Sequence, residues 1–352
     1  MRRTVAGAAA GALVLGAGLG LAAERYAIGR TRLRPDPEAG EPFFNLPADR
    51  TREIPADDGV PLHVEEVGPP DAPVTVVFCH GYTQELAVWH YQRKALMHDD
   101  AVRAVFWDQR SHGRSGRGPA EHSTIDWLGR DLRAVLEATA GSGPVVLVGH
   151  SMGGMTIMAL ADRHPELFGS TVTGVALIGT STGRLAEVTF GLPALLAPVT
   201  RRTLPWLTRG VRRQPAVFER GRRLGTDLAF VVARHQAFGD RNVSPALVEF
   251  VERMTARTRI DVIAEFYDTF TTHDKLAALD VLRDVATLVL VGSKDLVTPA
   301  EHSELIASAL PTAELVVLDG AGHMVQLECA QQVTAHLRAL VRRAAAPSTR
   351  SA

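Results

Sequence analysis

Short runs of apolar residues alternate with longer stretches of helical periodicity along most of the chain. The apolar runs are nearly continuous, which is typical of strands buried on both faces of a parallel sheet. The helical stretches place apolar residues three and four positions apart, as in helices that cover such a sheet. The alternation therefore predicts an α/β domain with a mostly parallel central sheet flanked by helices. The predicted strands are Pro61–Val67, Val74–Cys79, Ala101–Trp107, Val145–Val148, Val172–Ile178, Thr287–Val291 and Glu314–Leu318, and the predicted helices are Leu86–His98, Ile125–Ala138, Met155–His164, Pro299–Leu310 and Cys329–Arg343.

The alternation is interrupted once. From residue 181 to residue 273 the pattern is helical or irregular and contains no clear strand, and the alternation of strand and helix then resumes. This predicts one core made of residues 43–180 and 274–343, with residues 181–273 inserted after the sixth strand as a helical unit. An opening hairpin is also expected, with its turn at Asp57-Asp58-Gly59.

The N-terminus differs in character from the rest of the chain. Arg2 and Arg3 precede an uncharged stretch, Thr4 to Ala23, that is rich in Ala, Leu and Gly. A helix of about 20 residues at 1.5 Å each spans roughly 30 Å, the thickness of one hydrocarbon core. We therefore expect residues 1–24 to anchor the protein, which predicts a membrane-associated localisation with a single N-terminal span.

Two other interpretations of this segment stay open. A cleaved signal peptide, which predicts a secreted protein, fits the charged start, although the apolar stretch is long and no cleavage site stands out. Disorder or a wrongly assigned start is the other. The orientation of a span is also open, because arginines flank it on both sides. Residues 25–42, with three prolines and mixed charge, predict a linker, and residues 344–352 a disordered tail.

Composition excludes several classes of partner. With 352 residues, 46% of them hydrophobic, and a formal net charge of −1, the chain can form a large core and has no overall attraction for nucleic acid. Its two cysteines, Cys79 and Cys329, cannot provide a disulfide framework. No Cys/His cluster has the spacing of zinc ligands, so we expect neither a metal nor another cofactor.

Candidate chemistry begins at Gly149-His150-Ser151-Met152-Gly153-Gly154, which lies between a predicted strand and a predicted helix. A G-x-S-x-G sequence in that context is typical of a nucleophile elbow, a tight turn that lifts a serine hydroxyl above the sheet edge. Gly149 and Gly153 leave the space that the turn requires. The turn also aims the Met152 N–H, at the start of the helix, at the reacting centre, where it can stabilise negative charge. Ser151 is therefore the predicted nucleophile.

A serine hydroxyl needs a base, and the base needs a carboxylate to orient it. His323 lies in Gly320-Ala321-Gly322-His323-Met324, directly after a predicted strand, and so at the carboxyl edge of the sheet beside the elbow. Asp295 follows another strand and comes between Ser151 and His323 along the chain. We predict His323 as the base and Asp295 as the acid.

A second N–H for an oxyanion hole is expected from Cys79-His80-Gly81-Tyr82-Thr83, the loop after an early strand. Gly81 allows the loop to approach the substrate closely, and the Tyr82 N–H can then face the oxyanion. We interpret His80 as a hydrogen-bonding support beneath this loop rather than as a base. The Asp108 to Ser115 loop is expected to be structural.

Together these motifs resemble the α/β-hydrolase superfamily, in the branch of serine hydrolases with a helical lid after the sixth strand. The resemblance covers residues 43 to 343 and rests on His80-Gly81, Asp108 to Ser115, Gly149 to Gly154, Asp295 in Gly-Ser-Lys-Asp and His323 in Gly-His-Met. It implies an α/β-hydrolase fold in which residues 181–273 form the lid. Related dehalogenases and epoxide hydrolases use an aspartate nucleophile, so Ser151 argues against both.

The resemblance implies a serine esterase or lipase-like enzyme that acts on a small-molecule ester through an acyl-enzyme. The lid region is rich in aromatic residues, which favour an apolar acyl pocket or simply form the core of the lid: Trp206, Phe218, Phe230, Phe238, Phe250, Phe266, Tyr267 and Phe270. An acyltransferase, a C–C bond hydrolase or a cofactor-free haloperoxidase would use the same triad. An alternative from another class is an inactive, membrane-tethered binding protein on a hydrolase scaffold.

Overall fold

The computed structural model describes residues 36–97, 99–185, 208–224, 234–240 and 242–346. Eight strands form its sheet: β1 Arg50–Pro55, β2 Pro61–Val67, β3 Val74–Cys79, β4 Val102–Trp107, β5 Val145–His150, β6 Val172–Ile178, β7 Ala286–Gly292 and β8 Glu314–Leu318. Their order across the sheet is β1-β2-β4-β3-β5-β6-β7-β8. The pairs that include β2 are antiparallel, and all other pairs are parallel. The predicted fold class is confirmed.

Helices of the core cover both faces of this sheet, and three further helices belong to the insert after β6. The core helices are α1 His90–Leu96, α2 Ile125–Thr139, α3 Met152–Arg163, α7 Ala300–Ala309, α8 Val325–Glu328 and α9 Ala330–Ala345, and those of the insert are α4 Pro215–Leu224, α5 Pro245–Arg257 and α6 Ile260–Thr272. The predicted helix Leu86–His98 is found as a 3₁₀ turn, Leu86–Trp89, followed by α1. Both helix types place residues three apart on one side, so the spacing of apolar residues could not separate them.

The core lies in two layers, one on each face of the sheet. In β3, for example, Val76 and Phe78 belong to one buried cluster, whereas Val77 and Cys79 belong to the other. Because both sets of side chains are buried, the strand reads as an uninterrupted apolar run instead of an alternating one. The edge strand β8 differs, since only Leu318 among its five residues is fully buried.

The opening hairpin joins β1 and β2 in the predicted place. Gly59 supports the turn with a φ of +83°, a conformation that glycine adopts at little cost. We set no bounds for β1 from the sequence. Its six residues are mostly polar and exposed, so the strand carries almost no apolar signal.

The insert follows β6, as predicted. Between β6 and β7, which pair directly, the described residues form α4, α5 and α6 and contain no strand of the sheet. The two ends of the insert lie side by side, because Gly183 forms an isolated antiparallel bridge with Asp274. The Lys275 N–H also donates to the Thr182 carbonyl oxygen at 2.7 Å. The insert can therefore be added to the core without separating β6 from β7.

The described part of the predicted linker contacts the body of the protein. Asp36 accepts hydrogen bonds from the Ser244 hydroxyl at 2.7 Å and from the Ala246 N–H at 2.9 Å, at the start of α5. Phe43 stacks on Phe250 of α5 with ring centroids 4.5 Å apart. We call residues 36–44 the N-terminal strap, because they fasten α5 to the core.

The predicted membrane localisation must be corrected. The segment on which it was based, Thr4 to Ala23, lies outside the described residues. Among the residues that the structure does describe, no helix is both long and apolar enough to cross a membrane. The predicted single N-terminal span and membrane-associated localisation are therefore not supported and are withdrawn, and a signal segment likewise has no support. The composition of the segment gave this prediction a weak physical basis, since Ala and Gly add little apolar area per residue.

The predicted C-terminal tail also needs a correction. The helix α9 extends to Ala345, inside the predicted tail of residues 344–352, and residues 347–352 lie outside the described part.

Candidate active site

Ser151 lies in a sharp turn between β5 and α3. Its backbone has φ +52° and ψ −117°, which is strained for a residue with a side chain. The turn is tight on both sides. A Cβ added to Gly149 would lie 2.5 Å from the Gly153 carbonyl oxygen, and one added to Gly153 would lie 2.1 Å from the Cys79 carbonyl oxygen. Glycine is therefore required at both positions for the turn to form.

Hydrogen bonds from the neighbouring strand end hold this strained backbone. The Ser151 N–H donates to the Ile178 carbonyl oxygen at 2.9 Å, and the Thr180 hydroxyl donates to the Ser151 carbonyl oxygen at 2.7 Å. Gly179, between these two partners, lies against the predicted acid and base. A Cβ added there would be 3.3 Å from Asp295 Oδ2 and 3.6 Å from His323 Nδ1. The structure therefore brings all three predicted residues to one place.

Asp295 and His323 form a buried pair at 2.8 Å, Oδ2 to Nδ1. Asp295 follows β7 and His323 follows β8, so parallel pairing of these strands brings the two loops together. Asp295 Oδ1 also accepts the N–H groups of Val297 and Thr298, each at 2.8 Å. Burial raises the pKa of Asp295, but His323 and these donors outweigh it, and the pKa lies below its ordinary value. The carboxylate is therefore ionised and can hold a proton on Nδ1 of the imidazole.

The two predicted oxyanion donors lie in adjacent loops. Cys79 at the end of β3 pairs in register with Gly149 of β5, so the loops that follow these strands share one edge. Met152 is the first residue of α3, and its N–H has no acceptor within the helix. The Tyr82 side chain packs against the buried cluster that contains Met152. Gly81 donates its own N–H to Gln84 Oε1 at 2.9 Å, which fixes the loop.

His80 has both ring nitrogens engaged beneath the loop of residues 79–83, which we call the oxyanion loop after its predicted role. Its Nδ1–H donates to the Gly81 carbonyl oxygen at 2.7 Å, and its Nε2 accepts the Gln109 N–H at 2.9 Å. Burial is the main cause that lowers the pKa of His80, to about 3. A neutral ring with no free nitrogen is a support for the loop and is unsuited to act as a base.

Asp108 braces the same region from the other side. Its carboxylate accepts the Leu86 N–H at 2.7 Å and the Arg114 N–H at 2.8 Å. Burial raises the pKa of Asp108 to about 6. Gly113, with φ +52°, lies so close that an added Cβ would be 2.3 Å from this carboxylate. The loop expected to be structural thus joins the segment after the oxyanion loop to the end of β4.

Sequence analysis missed two threonines that support the site. Thr298 donates its hydroxyl to Asp295 Oδ2 at 3.0 Å, and Thr180 holds the Ser151 carbonyl oxygen. A signal existed for Thr298, because a hydroxyl three residues after an aspartate in a turn is a common local partner. Thr180 carries no such local signal, since Ser151 lies 29 positions away in the chain.

The insert, which is the predicted lid, contacts the oxyanion loop directly. The Tyr82 hydroxyl donates to the Ile263 carbonyl oxygen in α6, and the Tyr82 ring packs edge-on against Phe270 at 4.9 Å. Around them lies an apolar cluster shared by α2, α3 and α6: Ile125, Leu128, Met152, Met155, Ala159, Val262 and Phe266. Of the other predicted lid aromatics, Phe238 and Phe250 join the main core, whereas Trp206 and Phe230 lie outside the described residues.

A cavity of about 1020 Å³ opens beside the loop of Asp295 instead of over Ser151. Its lining includes Arg234, His235, Phe238, Ser293, Lys294 and Leu296. None of the three predicted triad residues lines it. The cavity therefore lies next to the candidate site, but its lining residues are not the predicted catalytic ones.

Comparison with known families agrees with this geometry. The family model described as alpha/beta hydrolase fold matches residues 74–330, which span the strands and loops that carry the site. The chain belongs to the alpha/beta hydrolase fold family. The predicted resemblance is confirmed by the family model, and the prediction of an esterase- or lipase-like enzyme agrees with the curated relatives.

Curated relatives include lipases. The sn-1-specific diacylglycerol lipase ABHD11 of Mus musculus is 26% identical over 251 residues, which cover 71% of this chain and 75% of the relative. Lipase LipV of Mycobacterium tuberculosis is 34% identical over 146 residues, 41% of this chain and about half (53%) of its own length. A dihydrolipoyllysine-residue acetyltransferase component of Pseudomonas putida is 28% identical over 281 residues, 76% of this chain and 63% of the relative.

Solved structures share the fold. A thermophilic esterase from Thermogutta terrifontis has a TM-score of 0.65 at 22% identity, with 84% of this chain and 100% of that chain covered. The enol-lactonase from Burkholderia xenovorans LB400 also has a TM-score of 0.65 at 22% identity, with 83% and 100% covered. At this identity the likeness concerns the fold alone.

Proposed function

We propose that this chain is a serine hydrolase of carboxylic esters, with Ser151 as nucleophile, His323 as base and Asp295 as the orienting acid. The observation that carries the proposal is the 2.8 Å contact between Asp295 and His323 beside the strained Ser151 elbow. An imidazole that donates Nδ1–H to a buried carboxylate presents an unprotonated Nε2, which is the form a general base requires.

The proposed reaction has two halves. Ser151 Oγ attacks the ester carbonyl carbon while His323 Nε2 takes the hydroxyl proton, and the Tyr82 and Met152 N–H groups hold the oxyanion. The C–O bond to the alcohol then breaks, and His323 returns its proton to the departing alcohol. A water molecule, deprotonated by His323, attacks the acyl-enzyme and releases the carboxylic acid. Asp295 stays ionised throughout and stabilises the imidazolium.

The surroundings of the site favour an apolar acyl group. Tyr82 and Met152 belong to a cluster that continues into the lid helix α6 through Val262 and Phe266. An ester with an apolar acyl chain would replace water in such surroundings at little cost, whereas a charged acyl group would lose its hydration. Two curated relatives are named as lipases, which supports the same class of substrate.

Labelling with a fluorophosphonate probe tests the nucleophile. The probe should label the full chain at Ser151, and Ser151→Ala should lose both the label and hydrolysis of p-nitrophenyl esters, by roughly 10⁴-fold or more. Ser303→Ala is the matched control, because Ser303 is a buried serine that belongs to α7 and not to the elbow. Undiminished hydrolysis by a correctly folded Ser151→Ala protein would refute the proposal, and an unlabelled native chain would favour the inactive binding protein.

Acyl transfer is the alternative that a specific observation supports, namely the acetyltransferase relative. Both reactions share the acyl-enzyme and differ in the molecule that attacks it. Adding an alcohol or a thiol to the ester assay separates them. We expect free acid as the main product, whereas an acylated alcohol or thiol in large excess over acid would assign the chain as a transferase.

A further inference from the structure

His150, directly before the nucleophile, contacts the loop of the base. Its ring is fully buried, and its Nε2 lies 2.9 Å from the carbonyl oxygen of His323, 173 positions away in the chain. The two imidazole rings are 4.7 Å apart. The His150 side chain thus connects the elbow to the backbone of His323, the predicted base for Ser151.

The protonation of His150 follows from its surroundings. Burial is the main cause that lowers the pKa of His150, to about 3, so the ring is neutral and carries one N–H. Its Nδ1 lies 3.2 Å from Gln84 Oε1, which already accepts the Gly81 N–H at 2.9 Å. The Gln84 amide nitrogen faces the Met324 sulfur at 3.3 Å, which agrees with this orientation of the amide.

Both ring nitrogens of His150 therefore face acceptors, and a neutral ring can donate to only one of them. The closer acceptor is the His323 carbonyl oxygen, which places the proton on Nε2. That carbonyl is buried and would lose its partner in the other tautomer, whereas Gln84 Oε1 keeps the Gly81 N–H in either case. The geometry favours the Nε2–H tautomer.

We propose that His150 is a positioning residue, whose Nε2–H holds the His323 backbone at a fixed distance from Ser151. The inference rests on the proposed function. His323 then has two anchors, since Asp295 holds its ring and His150 holds its main chain. Because His150 and Ser151 are neighbours in the chain, movement of the elbow and movement of the base are coupled. A misplacement of about 1 Å between reacting groups can cost roughly 100-fold in rate.

Three substitutions separate hydrogen bonding from packing. His150→Phe keeps the ring volume without a donor, His150→Gln places an N–H near the former Nε2, and His150→Asn places one only as far as Nδ1. We expect kcat for p-nitrophenyl ester hydrolysis to fall about 10- to 100-fold in the Phe and Asn variants, with KM changed less than about 3-fold. The Gln variant should recover most of the loss.

His273→Phe is the matched control. His273 is also buried, and its Nε2 likewise lies 3.1 Å from a backbone carbonyl oxygen, that of Ser181 at the start of the insert. The same substitution there removes a similar hydrogen bond without touching His323. We expect kcat to stay within about 3-fold of the native value. An equal loss in both Phe variants would reduce the role of His150 to stability.

A spectroscopic measurement on the unsubstituted protein keeps the inference testable if a variant fails to fold. ¹⁵N NMR of histidine-labelled chain distinguishes protonated from bare ring nitrogens, and we expect His150 to carry its proton on Nε2. A proton on Nδ1 would overturn the inference, as would His150→Phe labelling with fluorophosphonate at the native rate. In both cases a native chain labelled at Ser151 leaves the proposed function intact.

Discussion

Among single residues, Asp295 provides a test of how His323 is oriented. Asp295→Asn keeps the size of the side chain but can present an N–H toward Nδ1, which favours the wrong tautomer of the imidazole. We expect kcat for ester hydrolysis to fall by roughly 10⁴, the cost of the same exchange in a serine protease triad. Asp319→Asn is the control, because Asp319 also follows β8 but accepts its hydrogen bond from the exposed Ser293 hydroxyl instead of from His323. A native rate in Asp295→Asn would mean that another carboxylate serves the base.

The sequence allowed Ser151, Asp295 and His323 to be chosen because each directly follows an apolar strand. In a parallel sheet, the residues after such strands meet at one edge, so position along the chain predicts position in space. The roles of Thr180 and His150 have no comparable basis. Their partners lie 29 and 173 positions away, and which side chains meet there depends on strand register and loop shape.

At the scale of elements, the contact between the oxyanion loop and α6 provides a test of lid attachment. Tyr82→Phe keeps the ring and the backbone N–H but removes the hydroxyl that donates to the Ile263 carbonyl oxygen. Loss of this partly buried hydrogen bond should weaken the attachment by about 1 kcal/mol, so amide hydrogen exchange across Ile260–Thr272 should become about 5-fold faster.

Tyr267→Phe controls for loss of a hydroxyl at the lid, because Tyr267 lies on the same helix and leaves the Tyr82 contact untouched. Its exchange should match that of the native protein. Unchanged exchange in Tyr82→Phe would show that apolar contacts alone, such as that between Tyr82 and Phe270, hold α6 in place.

Elements with strong apolar patterns were predicted within a few residues, whereas polar or short elements were not. The strand Val172–Ile178 agrees with its prediction because six of its seven residues are buried. The strand β1 went without bounds because its side chains are largely exposed and it is held by backbone pairing with β2. Backbone hydrogen bonds do not depend on side-chain hydrophobicity, so a strand that is held mainly by them cannot be found from the pattern of apolar residues.

At the scale of the whole molecule, the insert is held by residues from a distant part of the chain. The N-terminal strap reaches α5 through Phe43, which is 9% exposed and stacks on Phe250 at 4.5 Å. Arg257 of α5 in turn lies 3.9 Å from the centre of the Phe44 ring. The sequence predicted a linker in this region because its prolines and charged residues are typical of linkers. The two aromatic residues that make the contact are too few to form an apolar pattern.

Phe43→Ala tests whether the strap fastens α5 to the core. Removing a buried aromatic ring should lower the free energy of unfolding by about 3 kcal/mol. We expect kcat to change little, because the ring contacts described for Phe43 are with His90 and Tyr91 of α1 and Phe250 of α5. Denaturant unfolding measures the loss, with Val217→Ala on α4 as control, since Val217 is 59% exposed and should cost less than about 0.5 kcal/mol. If Phe43→Ala unfolded at the native midpoint, α5 would be held by the core alone, and the strap would be an accessory to the fold.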